Sequence, residues 1–405
     1  MTKPAAHLHP RDLHGLARLA TDATSAVTDV VEAMQAAIVG WPSFTKSVSR
    51  DSRLGGVAGL PFAGVRTVAR LLGSGLDLAL PPLVARVGER NSTPERDTLL
   101  SVVNGVVGDH LADTGNPLAV RMELRRCGRA LELRKEALAA ALPRVSPRLA
   151  VMLHGLCGSD GQWKRRAVDY GASLERDFGF TPLYLRYNSG RHISRNGSEL
   201  AGLLEVLVEE WPLPVEELLL FGHSMGALVA RSALHYGAEF EHAWPLRVRR
   251  AVFLGAPHHG APLERGGNWF EETLGSVPYA APLSRLGRLR SAGITDLRHG
   301  NLVDEDWQGR DRFAPSGDSR RPLPLPAGLD CIAIAATTGR ALGDIRDRFV
   351  GDGLVPVASA LGHHPDPSRR LAIDEARQHV LAGAHHMDLL GHPVAWAHLS
   401  NWLSS

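Results

Sequence analysis

The apolar residues of this chain change their period near residue 147. Before it they recur at helical spacing. Val27, Val30, Val31, Met34 and Ile38 make one apolar stripe, and Gly40 and Pro42 end it. Thr93-Pro94-Glu95 reads as a capped helix start, and Leu99, Val102, Val103 and Val106 give that helix its buried face. A charged helix is expected around Met122 to Ala141. Between these lies a glycine-rich apolar stretch, residues 54–87, that makes a poor isolated helix but could pack closely or lie on a lipid surface. Residues 1–145 are therefore expected to form a helical extension or cap.

From Ser146 onward short apolar runs alternate with helical patterns, which predicts a mostly parallel α/β sheet. Expected strands are Leu149–Leu153, Thr181–Tyr187, Leu218–Phe221, Arg250–Leu254, Cys331–Ala335 and Gln378–Leu381. Ser198–Glu210 is the expected crossover helix, and residues 394–403 close the chain as a short amphipathic helix. Between residues 261 and 329 the alternation stops. That segment carries Trp269, Phe270, Leu274, Tyr279 and Leu283 among prolines, glycines and charges, and is expected to be a lid-like insertion.

Composition narrows the picture only a little. A chain of 405 residues with 44% apolar content has room for a large decorated domain or two smaller ones. The formal net charge of +2 gives no reason to expect nucleic acid as a partner. Cys127, Cys157 and Cys331 are too far apart for a zinc spacing and too few for a disulfide framework. Residues 1–20 lack the apolar core of a secretory signal, and no uncharged run is long enough to cross a bilayer. A cytoplasmic location is expected, with peripheral contact to membrane or lipid as an extension of it.

Chemistry enters at Leu218-Leu219-Leu220-Phe221-Gly222-His223-Ser224-Met225-Gly226-Ala227. An apolar strand ends in Gly-x-Ser-x-Gly and gives way to a helical pattern. This is the context of a nucleophile elbow, in which a strained turn exposes the serine and small flanking residues let strand and helix approach. Ser224 is the candidate nucleophile. His154-Gly155-Leu156 comes directly after the first core strand, so the amides of Leu156 and Met225 are candidate donors to a developing oxyanion. On such a sheet the acid and the base come later in the chain. Asp352, between Gly351 and Gly353, is the candidate acid, although Asp344 and Asp347 also lie beyond the strand. The candidate base is His386, with His385 beside it. His258-His259 and His385-His386 are adjacent pairs whose side chains diverge, so no metal site is expected, and no cofactor.

Taken together, Leu153-His154-Gly155-Leu156, Gly222-His223-Ser224-Met225-Gly226, Gly255-Ala256-Pro257-His258-His259-Gly260, Asp352-Gly353-Leu354-Val355 and His386-Met387-Asp388 occur in an order that resembles lipases and esterases of the α/β-hydrolase fold, especially the bacterial triacylglycerol-lipase-like group. The resemblance runs from about Arg148 to the C-terminus. It implies a catalytic domain over 146–405, a Ser224–Asp352–His386 triad and an oxyanion hole from Leu156 and Met225. It favours His386 over His385 because x-Asp comes after it. Some such lipases hold calcium near that aspartate, here Asp388. The implied activity is hydrolysis of carboxylic esters or lipids through an acyl-serine. The alternatives are acyl transfer or thioester cleavage on the same residues, or a lipid-associated protein that keeps the fold without the chemistry.

Overall fold

The structure, a computed structural model, describes residues 11–12, 14–22, 24, 93–164, 167–261, 290–313, 317–339 and 351–405. The stripe at 27–38, the stretch 54–87, the aromatic residues at 269–283, and Asp344 and Asp347 lie outside the described residues. The chain divides into two compact units, Met1–Thr93 with Asp113–Ala119, and Pro94–Ala112 with Val120–Ser405. In the first, residues 14–22 are helical. Arg18 there donates to the carbonyls of Thr114 and Gly115 at 3.1 and 3.2 Å, and Asn116 donates to Gly15 O at 3.1 Å.

The second unit is built on a sheet whose eight strands, among the described residues, lie in the order β2-β1-β4-β3-β5-β6-β7-β8. These are β1 (Glu123–Arg126), β2 (Arg129–Ala130), β3 (Arg148–Leu153), β4 (Thr181–Arg186), β5 (Glu217–His223), β6 (Val248–Leu254), β7 (Asp330–Thr337) and β8 (Gln378–Ala382). From β4 to β8 every pairing is parallel. Such a sheet is covered on both faces, which explains why its strands read as unbroken apolar runs instead of alternating ones. Alternate residues Ala150, Met152, Leu219, Phe221, Val252, Leu254, Ile332 and Ile334 form one core layer with Trp163, Tyr170, Leu174, Leu399 and Trp402.

The helices that frame the sheet are α1 (Pro94–Asp113), the short α2 (Lys135–Ala141), α3 (Tyr170–Phe178), α4 (Ile193–Glu210), α5 (Met225–Glu239) and α6 (Pro393–Leu403). Of these, α1, α4, α5 and α6 stand where the apolar spacing predicts them. The ends of α3 obey local rules. The Asp169 carboxylate accepts from Ala172 N at 3.0 Å, and Gly179 leaves the helix at φ 67°. Proline opens both α1 and α6.

The region around Met122 to Ala141 is not one helix. Cys127 and Gly128 take φ values of 51° and 75°, a two-residue turn of the hairpin type, and it joins β1 to β2. β1 then pairs antiparallel with β4. The sequence carries no alternation to announce this hairpin. Leu124 and the next residue, Arg125, are both buried, the latter by its ion pairs with Asp97 and Asp160 at 2.9 Å each. No helix among the described residues is long and apolar enough to cross a membrane.

Candidate active site

β5 lies inside the sheet, between β3 and β6, and runs straight into the turn that carries Ser224. Ser224 sits at φ 54° and ψ −126°, a backbone conformation that costs an L-residue on the order of 1–3 kcal/mol. The turn is over-determined by its surroundings. Ser224 N donates to Leu254 O of β6 at 2.8 Å, and Ala227 N donates back to Ser224 O at 3.1 Å. A Cβ on Gly222 would lie 2.5 Å from the backbone of Ala227, and one on Gly226 would clash with Leu153 O. Both contacts are impossible for any side chain, so both positions require glycine.

The loop after β3 folds back onto the same turn. A Cβ on Gly155 would stand 3.1 Å from Ser224 Cβ. Tyr187 Oη donates to His154 O at 2.8 Å, and its ring stacks on His154 at 4.3 Å. His154 Nδ1 faces Gly155 O at 2.8 Å; a carbonyl only accepts, so Nδ1 carries the proton. Burial pushes the His154 imidazole down to about 4, which keeps it neutral. Among the described residues the amides of Leu156 and Met225 donate to no protein acceptor. Met225 is the first residue of α5, where helix geometry leaves amides unpaired.

Asp352 is fully buried on a turn whose flanking glycines take φ values of 53° and 99°. Its Oδ1 accepts from Leu354 N at 3.0 Å and Val355 N at 2.8 Å, while Oδ2 accepts from His386 Nδ1 at 2.7 Å. The backbones are joined too, with His386 N donating to Asp352 O at 3.1 Å. With Nδ1 holding the proton, Nε2 of His386 is left as the basic nitrogen. His385 is exposed instead and caps the short turn His386–Leu390, its amide donating to Asp388 Oδ2 at 2.9 Å. No hydrogen bond joins Ser224 Oγ to His386 among the described residues, and catalytic serine–histidine contacts are often long in unliganded proteins.

The lipase resemblance allows a calcium beside Asp388. The Asp388 carboxylate is used as the cap of the turn. Among the described residues no group of three or more His, Cys, Asp or Glu side chains converges as a metal site.

His223 contributes more than its place in the Gly-x-Ser-x-Gly motif indicates. It is buried edge-on to Trp163, its ring lies 4.8 Å from that of His386, and Nε2 donates to His386 O at 3.4 Å. Burial, and then the neighbouring His386, hold its pKa well below the ordinary histidine value. His258 and His259 shape the loop after β6, away from these groups. Nδ1 of His258 accepts from Arg231 at 3.3 Å, and His258 O accepts from Arg320 at 3.0 Å. Nothing in the sequence announces Arg231, a buried guanidinium whose other donor meets Leu323 O at 2.6 Å.

A mostly parallel sheet with a serine elbow at the carboxyl end of an inner strand, and a buried His–Asp pair on the loops beyond the later strands, defines an α/β-hydrolase fold. Within it, residues 145–320 match the family described as PGAP1-like alpha/beta domain. No curated protein matches the chain. Among solved structures, the mature lipase BlEst2 of Bacillus licheniformis is 18% identical, with 65% of this chain and 95% of that one covered and a TM-score of 0.41. The esterase Pf2001 of Pyrococcus furiosus is 14% identical, with 64% and 83% covered and a TM-score of 0.37. YbtT, a type II thioesterase of yersiniabactin biosynthesis, is 16% identical, with 64% and 93% covered and a TM-score of 0.36.

Proposed function

We propose that this protein hydrolyses carboxylic esters through an acyl-serine intermediate, with Ser224 as nucleophile, His386 as general base and acid, and Asp352 as the group that orients His386. The observation that carries the reading is the 2.7 Å hydrogen bond from His386 Nδ1 to a fully buried carboxylate, on loops at the same sheet edge as a serine held at φ 54°. That bond leaves His386 Nε2 free to take the Ser224 proton as Oγ attacks the ester carbonyl. The negative charge then passes to the carbonyl oxygen, where the amides of Leu156 and Met225 supply two preorganised donors. The tetrahedral adduct collapses, His386 gives its proton to the leaving alcohol, and a second round with water releases the acid and restores Ser224.

The sequence beyond β6 supplies the reason to expect ester or lipid substrates. The 261–329 segment leaves β6 at the carboxyl edge, where open α/β sheets bind ligands, and its apolar residues suit an acyl chain. Purified protein assayed on p-nitrophenyl esters of increasing chain length, beside Ser224→Ala and a serine-directed fluorophosphonate, tests the reading. The expected result is turnover by the wild type only and a single label on Ser224. Turnover that survives Ser224→Ala, or a label elsewhere, rejects it. A marked preference for thioesters, or for an added alcohol over water, would move the same residues to thioester cleavage or acyl transfer.

A further inference from the structure

The loop that carries Leu156 is held from outside the segment 145–320. α1 lies against it. A Cβ on Gly105 would clash with Cys157 Sγ and would lie 3.0 Å from both Cys157 N and Cα, so helix and loop touch backbone to backbone. Cys157 directly follows Leu156, so only the Leu156 φ and ψ separate its peptide from the Leu156 amide, and Cys157 itself takes φ 58°. One turn on, α1 holds the loop after β4 in the same way. Asn188 Nδ2 donates to Gly108 O at 2.8 Å, and a Cβ on Gly190 would clash with Asn104 O. That second loop returns to the first, because Ser189 Oγ accepts from Cys157 N at 3.1 Å.

Both ends of this contact are pinned. At the start of α1, Asp97 meets Arg125, and Arg125 also meets Asp160 at the far end of the Leu156 loop, each at 2.9 Å. On its other side, Ser291 Oγ donates to Gly105 O at 2.6 Å, and Asp109 accepts from Ala292 N at 2.9 Å and from Arg312 at 2.6 Å. The helical geometry breaks at Val107, with φ −133°, between the two glycines in contact.

We propose that α1 is a clamp that sets the position of the Leu156 amide, with Gly105 as its positioning residue. This rests on the hydrolase reading for its functional consequence, but not for its structural one. A side chain at 105 displaces Cys157, and with it the donor aimed at the oxyanion, while leaving Ser224, His386 and Asp352 where they are.

The test is Gly105→Ala, assayed on a short soluble ester. A lost oxyanion donor reads on the transition state and not on the ground state, so kcat is expected to fall at least about tenfold with KM changed by less than about threefold. Affinity for an arylboronic acid, which forms a tetrahedral adduct on the serine, should fall in step with kcat/KM. Adding Cys157→Ala, which removes the sulfur that the new methyl group would meet, should recover part of both. Hydrogen exchange at residues 155–158 should quicken while β5 stays protected. Ser291→Ala deletes the hydrogen bond to Gly105 O together with the 3.3 Å cap that Ser291 Oγ gives Ile294 N, and adds no atom. It is the second variant should Gly105→Ala not fold, and the same changes are expected at smaller size. A folded variant with unchanged kcat, boronate affinity and exchange at 155–158 overturns the clamp. If the wild type turns over no ester and Ser224 takes no label, the hydrolase reading fails, and exchange alone decides the clamp.

Discussion

Nδ1 of His386 lies 2.7 Å from Oδ2 of Asp352, and the pair is closed to solvent although 34 residues separate the two in sequence. Asp352→Asn keeps the shape but sets an amide group against Nδ1–H, which favours the tautomer with Nε2 protonated and unable to act as base. We expect kcat to fall on the order of 10⁴-fold, with the protein folded as judged by circular dichroism. His386→Ala should be as severe. His385→Ala should be mild, since His385 is exposed and its backbone amide and carbonyl meet Asp388. Loss of activity in a folded His385→Ala protein would exchange the two roles.

Strain at the elbow has a thermodynamic signature. Ser224→Gly relieves a backbone at φ 54° and ψ −126°, partly offset by the greater freedom of glycine in the unfolded chain. The variant should be inactive yet about 1 kcal/mol more stable than wild type in urea unfolding. Gly226→Ala does the opposite, because its methyl group would clash with Leu153 O, and should cost at least about 2 kcal/mol. Equal stability of Ser224→Gly and Ser224→Ala would mean that the elbow stores no strain.

Acid should destabilise the fold before its carboxylates are protonated. His154, His223 and His258 are buried, and burial is the main cause that lowers all three pKa values, His154 to about 4 and the others well below the ordinary value. For a group with a depressed folded pKa, stability is complete above the unfolded value, about 6.5 for histidine, and is lost as pH falls toward the folded one. Tm should therefore be flat near pH 7.5 and decline below about 6.5, with unfolding taking up more than one proton. A Tm that holds constant from about pH 7 to about pH 5 would show that these imidazoles are protonated in the native state.

The three thiols should separate by reactivity. Cys127 is exposed on the hairpin turn, whereas Cys157 and Cys331 are buried and pushed up to about 12 by that burial. Native protein treated with iodoacetamide should gain one label, on Cys127, and unfolded protein three. Native labelling of Cys157 would show that the loop beside α1 opens.

Access to the site can be tested by truncation, provided the cut spares α1. Removing residues 1–90 leaves the unit that starts at Pro94. If the N-terminal stretch acts as cap or lipid anchor, the truncated protein should change its preference among ester chain lengths or its co-sedimentation with phospholipid vesicles. A folded truncation with both profiles unchanged would leave the 261–329 segment as the sole access element.

Much of this architecture is legible in the chain because it depends on neighbours in sequence. Apolar runs between turn residues mark the parallel strands, since a strand buried on both faces must be apolar throughout. Gly222 and Gly226 mark the elbow and Gly351 and Gly353 the Asp352 turn, because backbone geometry at those points excludes a Cβ or needs a left-handed residue. The hairpin at 123–130 is not legible, because the residues that bury Arg125 are Asp97 and Asp160, far off in sequence. Which of two adjacent histidines meets Asp352 is decided only where the chain enters the turn at 386–390, which points one ring inward and the other to water. The packing of His223 on His386 and of Gly105 on Cys157 belongs to the same class. Local rules of period and backbone conformation are written in consecutive residues. Contacts between distant segments are chosen only when the core closes, and they placed the groups of this site against one another.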